Sequence, residues 1–283
     1  MDSRPQITVS RRLAAATQRL AAVSDTPRLD AEMLLAHTLG ITRSALLARL
    51  RDCTDAPGFD AIVERRANAE PIAYILGEWE FFSLSFAVRP PLLVPRPETE
   101  HLVETVLAHV GKHPARVLDL GTGTGCIAVS IAVNAPRASV VATDIRPKAI
   151  ETADENATRH CVRERMTFRL GDLFAALDAG DGPFDAICSN PPYVEDSAWD
   201  TLPPVIRLHE DHGAVCGGPA GLDVTARIIR NARRHLRPGG LLALEMDDPQ
   251  RDAIAALLKE SGYREIAFTR DLAGLNRVAS ARL

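Results

Sequence analysis

The apolar positions of this chain follow two rhythms. Through residues 8–70 they recur at helical spacing: Leu13, Leu20 and Val23 form one stripe, and Met33, Leu34, Leu35 and Leu39 form another that Gly40 closes. Two further runs, 44–50 and 59–69, complete a set of short amphipathic helices with no strand signal. The texture changes at Pro71. Residues 81–88 are rich in aromatic and β-branched side chains with partial alternation, which predicts a strand or a hairpin. Residues 89–97 hold four prolines among nine positions, so they predict an irregular connector.

Beyond the connector, strand and helix patterns alternate to the end of the chain. The predicted strands are 116–120, 139–143, 167–170, 186–189, 241–245, 264–269 and 277–282. The predicted helices are 99–110, 126–134, 148–158, 222–236 and 249–261. Such alternation implies an α/β fold, a twisted and mainly parallel Rossmann-like sheet with helices on both faces. The last two strands have no helix between them, which suggests an antiparallel hairpin at one edge. The expected domains are a small N-terminal helical domain (1–75), a hairpin and proline-rich connector (76–97), and the α/β domain (98–283). There is no internal repeat.

Composition narrows the class. Apolar residues make up 46% of 283 residues and charged residues 25%, a globular profile with enough apolar material for one α/β core and a small accessory domain. Lys plus Arg is 33 against Asp plus Glu at 37, a formal charge of −4, which argues against a nucleic-acid partner held mainly through phosphates. The cysteines (Cys53, Cys126, Cys161, Cys188, Cys216) are scattered with no Cys-x-x-Cys pair, so neither a disulfide framework nor a zinc site is expected. The contiguous His209, Glu210, Asp211 and His212 do not suit one metal ion and read as a solvated loop. No signal segment and no membrane-spanning apolar run is visible, so the expected location is the cytoplasm. A monomer is expected, since no sustained heptad is visible.

The segment VLDLGTGTGCIAVSIA runs from an apolar strand through a glycine loop into an apolar helix. Gly121, Thr122, Gly123, Thr124 and Gly125 form a loop that lets a ligand approach the backbone closely. Asp144 closes the next strand, 19 residues beyond Gly125, where a carboxylate can accept from both hydroxyls of a ribose. A nicotinamide fingerprint needs Gly-x-Gly-x-x-Gly/Ala to hold a pyrophosphate, but Cys126 occupies the third position. S-adenosylmethionine carries no phosphate, and the acidic Asp119 before the loop suits its cationic end. The loop therefore favours that methyl donor, with S-adenosylhomocysteine as product. Asp172 and Leu173 follow a later strand, where the acid can accept from an adenine amine and the leucine can cover the ring.

Asn190-Pro191-Pro192-Tyr193 directly follows the strand AICS. An amide nitrogen is a poor nucleophile because its lone pair is delocalised. The Asn190 side-chain carbonyl and the Pro191 backbone carbonyl are two acceptors able to hold its N–H groups and aim the lone pair at a methyl. Tyr193 can cover the flat face of the acceptor group. No strong base is required, because the nitrogen becomes acidic as it accepts the methyl.

With these residues in view, the chain resembles the glutamine methyltransferases that modify bacterial peptide-chain release factors. The resemblance runs over nearly the whole length, through PRLDAEMLLAHTLG, EPIAYILGEWEFFSLSFAV, LVPRPETE, DLGTGTG, SNPPY and DLAGLNR. It implies that Gly121–Gly125 binds S-adenosylmethionine, that Asp144 is the ribose acid, and that Leu173 lies beside adenine. It also implies that Asn190, Pro191, Pro192 and Tyr193 hold the glutamine of a Gly-Gly-Gln loop. Pro95, Arg96 and Glu98 would lie on the rim of the active site, and the helical domain would engage the release factor. Three positions depart from the family pattern: Asp211 after Glu210, Ala220 in the Gly217–Gly221 stretch, and Asp247 after Met246. These are expected on the acceptor side. Other readings are another protein glutamine as target, a nucleic-acid adenine methyltransferase using the same Asn-Pro-Pro-Tyr chemistry, or a paralogue that binds a partner without catalysis.

Overall fold

The computed structural model describes residues 7–283. The chain divides into two compact units, one comprising the segment to Gly77 with Pro203–His209, the other Glu78–Leu202 with Glu210–Leu283. The first contains α1 (Val9–Leu20), α2 (Pro27–Leu39), α3 (Arg43–Leu47), α4 (Phe59–Ala67) and α5 (Ile72–Leu76). Helix α1 begins at Thr8, whose hydroxyl accepts from the Arg11 amide. Leu13, Leu20, Leu34, Leu35 and Leu46 are fully buried in one cluster, each contributing about 1.5–3 kcal/mol of burial. Beside them Arg66 donates to Asp30 at 2.7 Å, an ion pair with both side chains less than a tenth exposed. The last of these helices is not legible in the spacing. The helical pattern fades at Pro71, yet Pro71 leads into one more turn and a half, because proline fits the start of a helix.

The second unit opens with a hairpin, β1 (Glu78–Phe81) and β2 (Leu84–Ala87). It starts earlier than its aromatic pattern suggests, and its two turn residues, Phe82 and Ser83, both have positive φ. That turn usually carries Asn or Gly. Here the Phe82 amide is held by the Glu100 carboxylate at 2.7 Å. There follow α6 (Glu100–Val110), β3 (Ala115–Leu120), α7 (Cys126–Asn134), β4 (Ala138–Asp144), α8 (Pro147–Arg159), β5 (Met166–Leu170) and β6 (Phe184–Ser189). Two short helices come next, α9 (Pro204–Arg207), which belongs to the first unit, and α10 (His212–Val215). The chain closes with α11 (Asp223–Ala232), β7 (Leu236–Glu245), α12 (Arg251–Glu260), β8 (Arg264–Arg270) and β9 (Asn276–Arg282).

The seven strands lie in the order β5-β4-β3-β6-β7-β9-β8. The first five are parallel, and β9 runs antiparallel to both β7 and β8, so the expected terminal hairpin is present at one edge. Alternate strand residues enter two separate cores. Val117, Ala142 and Ala186 face α6 and α7, while Leu118, Leu120, Ile187 and Leu244 face α11 and α12. Both faces being covered explains why these strands read as continuous apolar runs. Two boundaries differ from the sequence reading. Helix α11 stops at Ala232, and β7 begins at Leu236, because Pro238 disfavours helix in the residue before it and Leu236 pairs with Phe184.

Candidate active site

Strands β3 and β6 are neighbours, with Leu120 opposite Ser189. Their onward connections leave in opposite directions, to β4 on one side and to β7 on the other. Such a point in a parallel sheet opens a crevice beyond the strand ends. The glycine loop leaves β3 and the Asn190 segment leaves β6 at this crevice, and both line one cavity.

The half of the cavity built by the glycine loop is local. The Asp144 carboxylate accepts from the Gly123 amide at 2.9 Å and from the Arg146 amide at 2.9 Å. Burial raises its pKa, and these backbone donors oppose that. Each oxygen retains a lone pair for a further donor. Gly125 has φ +80°, and a Cβ there would lie 2.8 Å from the Ala153 Cβ, so only glycine lets α7 start this close to α8. Nothing lies within 4 Å of where a Cβ would stand on Gly121 or Gly123, which leaves that side of the loop open. Thr122 and Thr124 are buried and line the cavity.

Asp119 does not face this space. It is fully buried, accepts from the Thr122 hydroxyl at 2.7 Å, and is pushed up to about 7 by burial. Its influence on a bound cation would pass through Thr122 and the loop, not by contact. Asp172 and Leu173 line the cavity, and Asp172 is already paired with Arg227 at 2.5 Å. Ile145, missed in the sequence reading, stands 63% exposed in the cavity wall directly after Asp144. An isolated apolar residue after a strand-ending acid was the available signal.

Three arginines line the cavity, and each meets a carboxylate: Arg96 with Glu210 at 2.7 Å, Arg146 with Asp211, and Arg227 with Asp172. A pyrophosphate site would offer such guanidinium groups to its ligand. The cavity instead offers an acid with spare lone pairs, an open glycine backbone and the apolar Ile145 and Leu173. That set fits a phosphate-free nucleoside such as S-adenosylmethionine.

These pairs also correct the reading of residues 209–212 as a solvated loop, since Glu210 is buried and Asp211 caps α10 through the Gly213 amide. Asp211 lies against Arg146, whose amide bonds to Asp144 at the end of β4. Asp247 caps the turn before α12 and meets Arg277 at 3.3 Å. Among the described residues, the metal-ligand types that converge are Asp196, His212 and Cys216, their ligating atoms within 4.8 Å of one another.

The half built by the Asn190 segment draws on distant residues. Asn190, Pro191 and Pro192 line the cavity. The Asn190 amide nitrogen donates to the Thr99 hydroxyl at 3.3 Å, which turns its carbonyl oxygen away from Thr99. Tyr193 does not line the cavity; its hydroxyl donates to Glu245 at 3.3 Å. Gln250 donates to the Tyr193 carbonyl at 2.9 Å and to the Gly221 carbonyl at 3.2 Å. Gly221 has φ +65°, and a Cβ there would lie 2.1 Å from the Tyr193 carbonyl oxygen, so the Gly217–Gly221 stretch presses directly on the motif. Pro95 and Arg96 line the cavity, whereas Glu98 is exposed beside it and does not. Thr99 was not among the residues singled out, because nothing in its local sequence ties it to residue 190. Glu245 and Gln250 bracket the departure at Asp247 in a stretch expected on the acceptor side, but their partners are not legible there.

Two family profiles match the chain, one described as the PrmC N-terminal domain over residues 12–77, the other as the methyltransferase small domain over residues 97–205. The chain is similar to the release factor glutamine methyltransferase of Nitratidesulfovibrio vulgaris, 42% identical over 273 residues, covering 94% of this chain and 92% of that one. It is equally similar to the release factor glutamine methyltransferase of Coxiella burnetii, 42% identical over 270 residues, covering 94% and 95% of the two chains. Among solved structures, a T. thermophilus 16S rRNA methyltransferase in complex with AdoMet and guanosine matches with a TM-score of 0.51 at 22% identity, over 72% of this chain and 49% of that one. That likeness speaks for the fold. Identity at this level over nearly the full length places the chain, with its joined glycine loop and Asn190 segment, in the family of release factor glutamine methyltransferases, which are S-adenosylmethionine-dependent enzymes.

Proposed function

We propose that this protein transfers a methyl group from S-adenosylmethionine to the side-chain amide nitrogen of the glutamine in the Gly-Gly-Gln loop of peptide-chain release factors. The observation that carries the reading is the orientation of Asn190. Its nitrogen is spent on Thr99, so its carbonyl oxygen is the group available to an incoming N–H. The donor supplies an electrophilic sulfonium methyl. Gly121–Gly125 and Asp144 hold it by backbone amides and ribose contacts, while Ile145 and Leu173 offer apolar surface to the adenine. Asp172 remains the candidate partner for the adenine amine, sharing its carboxylate with Arg227.

Asn190 and the Pro191 carbonyl take the two amide hydrogens of the glutamine and set its lone pair towards the cavity. A nitrogen–carbon bond forms as the sulfur–carbon bond breaks, and the proton leaves for water. Holding the reacting atoms at about 3 Å supplies several kcal/mol of the barrier. Pro95 and Arg96 form the rim, and Glu98 stands outside it, within reach of the protein substrate. Tyr193 serves through the position of the segment. The helical unit engages the release factor, and the enzyme acts as a cytoplasmic monomer without a nucleic-acid partner. Among the described residues no helix is long and apolar enough to cross a membrane.

The test is mass spectrometry of an unmodified release factor after incubation with the protein and S-adenosylmethionine. One added methyl on the Gly-Gly-Gln glutamine supports the reading. Donor binding without any methyl on that glutamine overturns the assigned acceptor.

A further inference from the structure

The chain that leaves the Asn190 segment lies against the stretch that runs from α10 to α11. The Val194 amide donates to the Val215 carbonyl at 3.0 Å, the Gly217 amide to the Val194 carbonyl at 2.9 Å, and the Asp196 amide to the Gly218 carbonyl at 3.1 Å. Within the second strip the Cys216 amide donates to the His212 carbonyl at 2.8 Å, closing one helical turn. His212 and Cys216 therefore share a face of that turn, and the backbone bonds set Asp196 opposite them. The three ligating atoms, a carboxylate oxygen, an imidazole nitrogen and the Cys216 sulfur, lie within 4.8 Å of one another.

The transfer reaction does not use this cluster. None of the three residues lines the cavity, although their neighbours Asp211, Gly213 and Ala214 do. The donor set is one thiol, one imidazole and one carboxylate. Mg2+ and Ca2+ take oxygen ligands, whereas zinc takes Cys, His and Asp at about 2.0–2.3 Å. Ligands at those lengths around a tetrahedral ion stand roughly 3.3–3.7 Å apart. Closing on zinc thus requires at most about 1.5 Å of contraction between any two of them. Asp196 and His212 are exposed and Cys216 is buried. The first two can swing inward onto an ion arriving from solvent, against a fixed sulfur. Trp199 packs edge-on against His212 with ring centroids 4.6 Å apart, which limits the positions open to the imidazole. A thiolate and a carboxylate together balance the charge of the ion.

We propose that Asp196, His212 and Cys216 form a zinc site, with water in the fourth position, that acts as a clasp behind the Asn190 segment. Gly217 follows Cys216, and a Cβ on Gly217 would lie 2.3 Å from the Pro192 carbonyl oxygen. Whatever fixes Cys216 therefore also fixes the backing of the Asn190 segment. The thiol proton passes to water as the ion binds, so affinity rises with pH. No paired-cysteine spacing announces the site, because it takes one residue from the 209–212 stretch and its other two ligands from either side. It stands whether or not a release factor is the substrate.

The test uses the untagged full chain carrying Cys53→Ser and Cys161→Ser, which removes the two exposed thiols, and Trp79→Phe, which leaves Trp199 as the single tryptophan. Calorimetry with Zn2+ gives one site per chain, and excess Mg2+ or Ca2+ does not displace the ion. Co2+, used as a spectroscopic probe, gives a thiolate-to-metal charge-transfer band and quenches Trp199 with the same midpoint. Cys216→Ser abolishes the band and weakens zinc binding about a hundredfold, the upper end of the loss seen when even an outer partner of a metal site is removed. Asp196→Asn and His212→Ala each weaken zinc binding at least about tenfold and keep the band. Zinc raises the thermal midpoint of the parent chain and not that of Cys216→Ser.

No zinc bound, a cobalt form without the charge-transfer band, or a band that survives Cys216→Ser overturns the site. Unchanged zinc affinity in both Asp196→Asn and His212→Ala overturns it as well, even should Cys216→Ser fail to fold. Zinc bound through these three residues with no rise in the thermal midpoint overturns the clasp.

Discussion

The glycine loop after β3 and the Asn190 segment after β6 lie side by side, yet they are held by different means. The donor loop is shaped by residues within a few positions of itself and by the acid that ends the adjacent strand: Gly123 bonds to Asp144, and Thr122 to Asp119. The acceptor segment is held by Thr99 before α6, Glu245 at the end of β7, Gln250 before α12 and the Gly217–Gly221 stretch. One half is a backbone conformation; the other is a segment held from four directions, with Thr99 bonded to the Asn190 side chain and the other three against Tyr193. Under the proposed function the difference has a use: a nucleoside needs a smooth cradle, which glycines and one carboxylate would provide. An amide nucleophile needs an acceptor pointed correctly, which requires partners on several sides.

The sharpest way to separate the halves is Asn190→Ala. It removes the acceptor and leaves the donor loop, so kcat falls by about 10²–10³-fold, as for other oriented polar groups. Calorimetric donor affinity stays near the wild-type value. Unchanged turnover would contradict the division. The complementary variant, Asp144→Ala, loses charge-assisted bonds to the donor ribose worth about 1.5–3 kcal/mol. Donor affinity weakens roughly ten- to a hundredfold, while kcat at saturating donor is largely kept.

A subtler break is Gly221→Ala. Its Cβ would press on the Tyr193 carbonyl and shift the acceptor segment only. The expected cost is about 1–3 kcal/mol of stability, with the KM for the protein substrate rising and donor affinity unchanged. A variant whose donor affinity falls instead would show the halves to be mechanically coupled.

The smallest effect concerns pH. Asp119 is raised to about 7 by burial, above the roughly 4 of an unfolded aspartate. The folded state therefore favours its protonated form. That stability is fully present below pH ~4 and is lost as pH rises towards 7. Denaturation midpoints measured across that interval fall with pH, and the slope is shallower in Asp119→Asn. An unchanged slope in the variant would assign the effect elsewhere.

The periodicity of the chain determined much of this protein. Apart from the end of α11 and the start of β7, the parallel strands, the helices between them and the terminal hairpin stand close to their predicted bounds, because apolar runs between covered faces leave little choice of element. The glycine loop, Asp144 and Asn190 were legible for a related reason, since each depends on residue type at a strand end. The hairpin turn at Phe82 and Ser83 was not legible, because its positive φ values are held by Glu100 and not by the turn residues themselves. Helix α5 after Pro71 and the early start of β7 were likewise decided by what they pack or pair against.

Only the tertiary structure decided which way Asn190 faces. Thr99, before α6, stands far from it in sequence and meets it only in the fold, while Glu245 reaches the same segment at Tyr193 because β7 lies beside β6. The same order paired Arg96 with Glu210 and Arg146 with Asp211, turning an acidic stretch that looked solvated into part of the cavity wall. Residue type announces a hydrogen-bonding group, but the direction in which that group points depends on partners that only folding brings within reach.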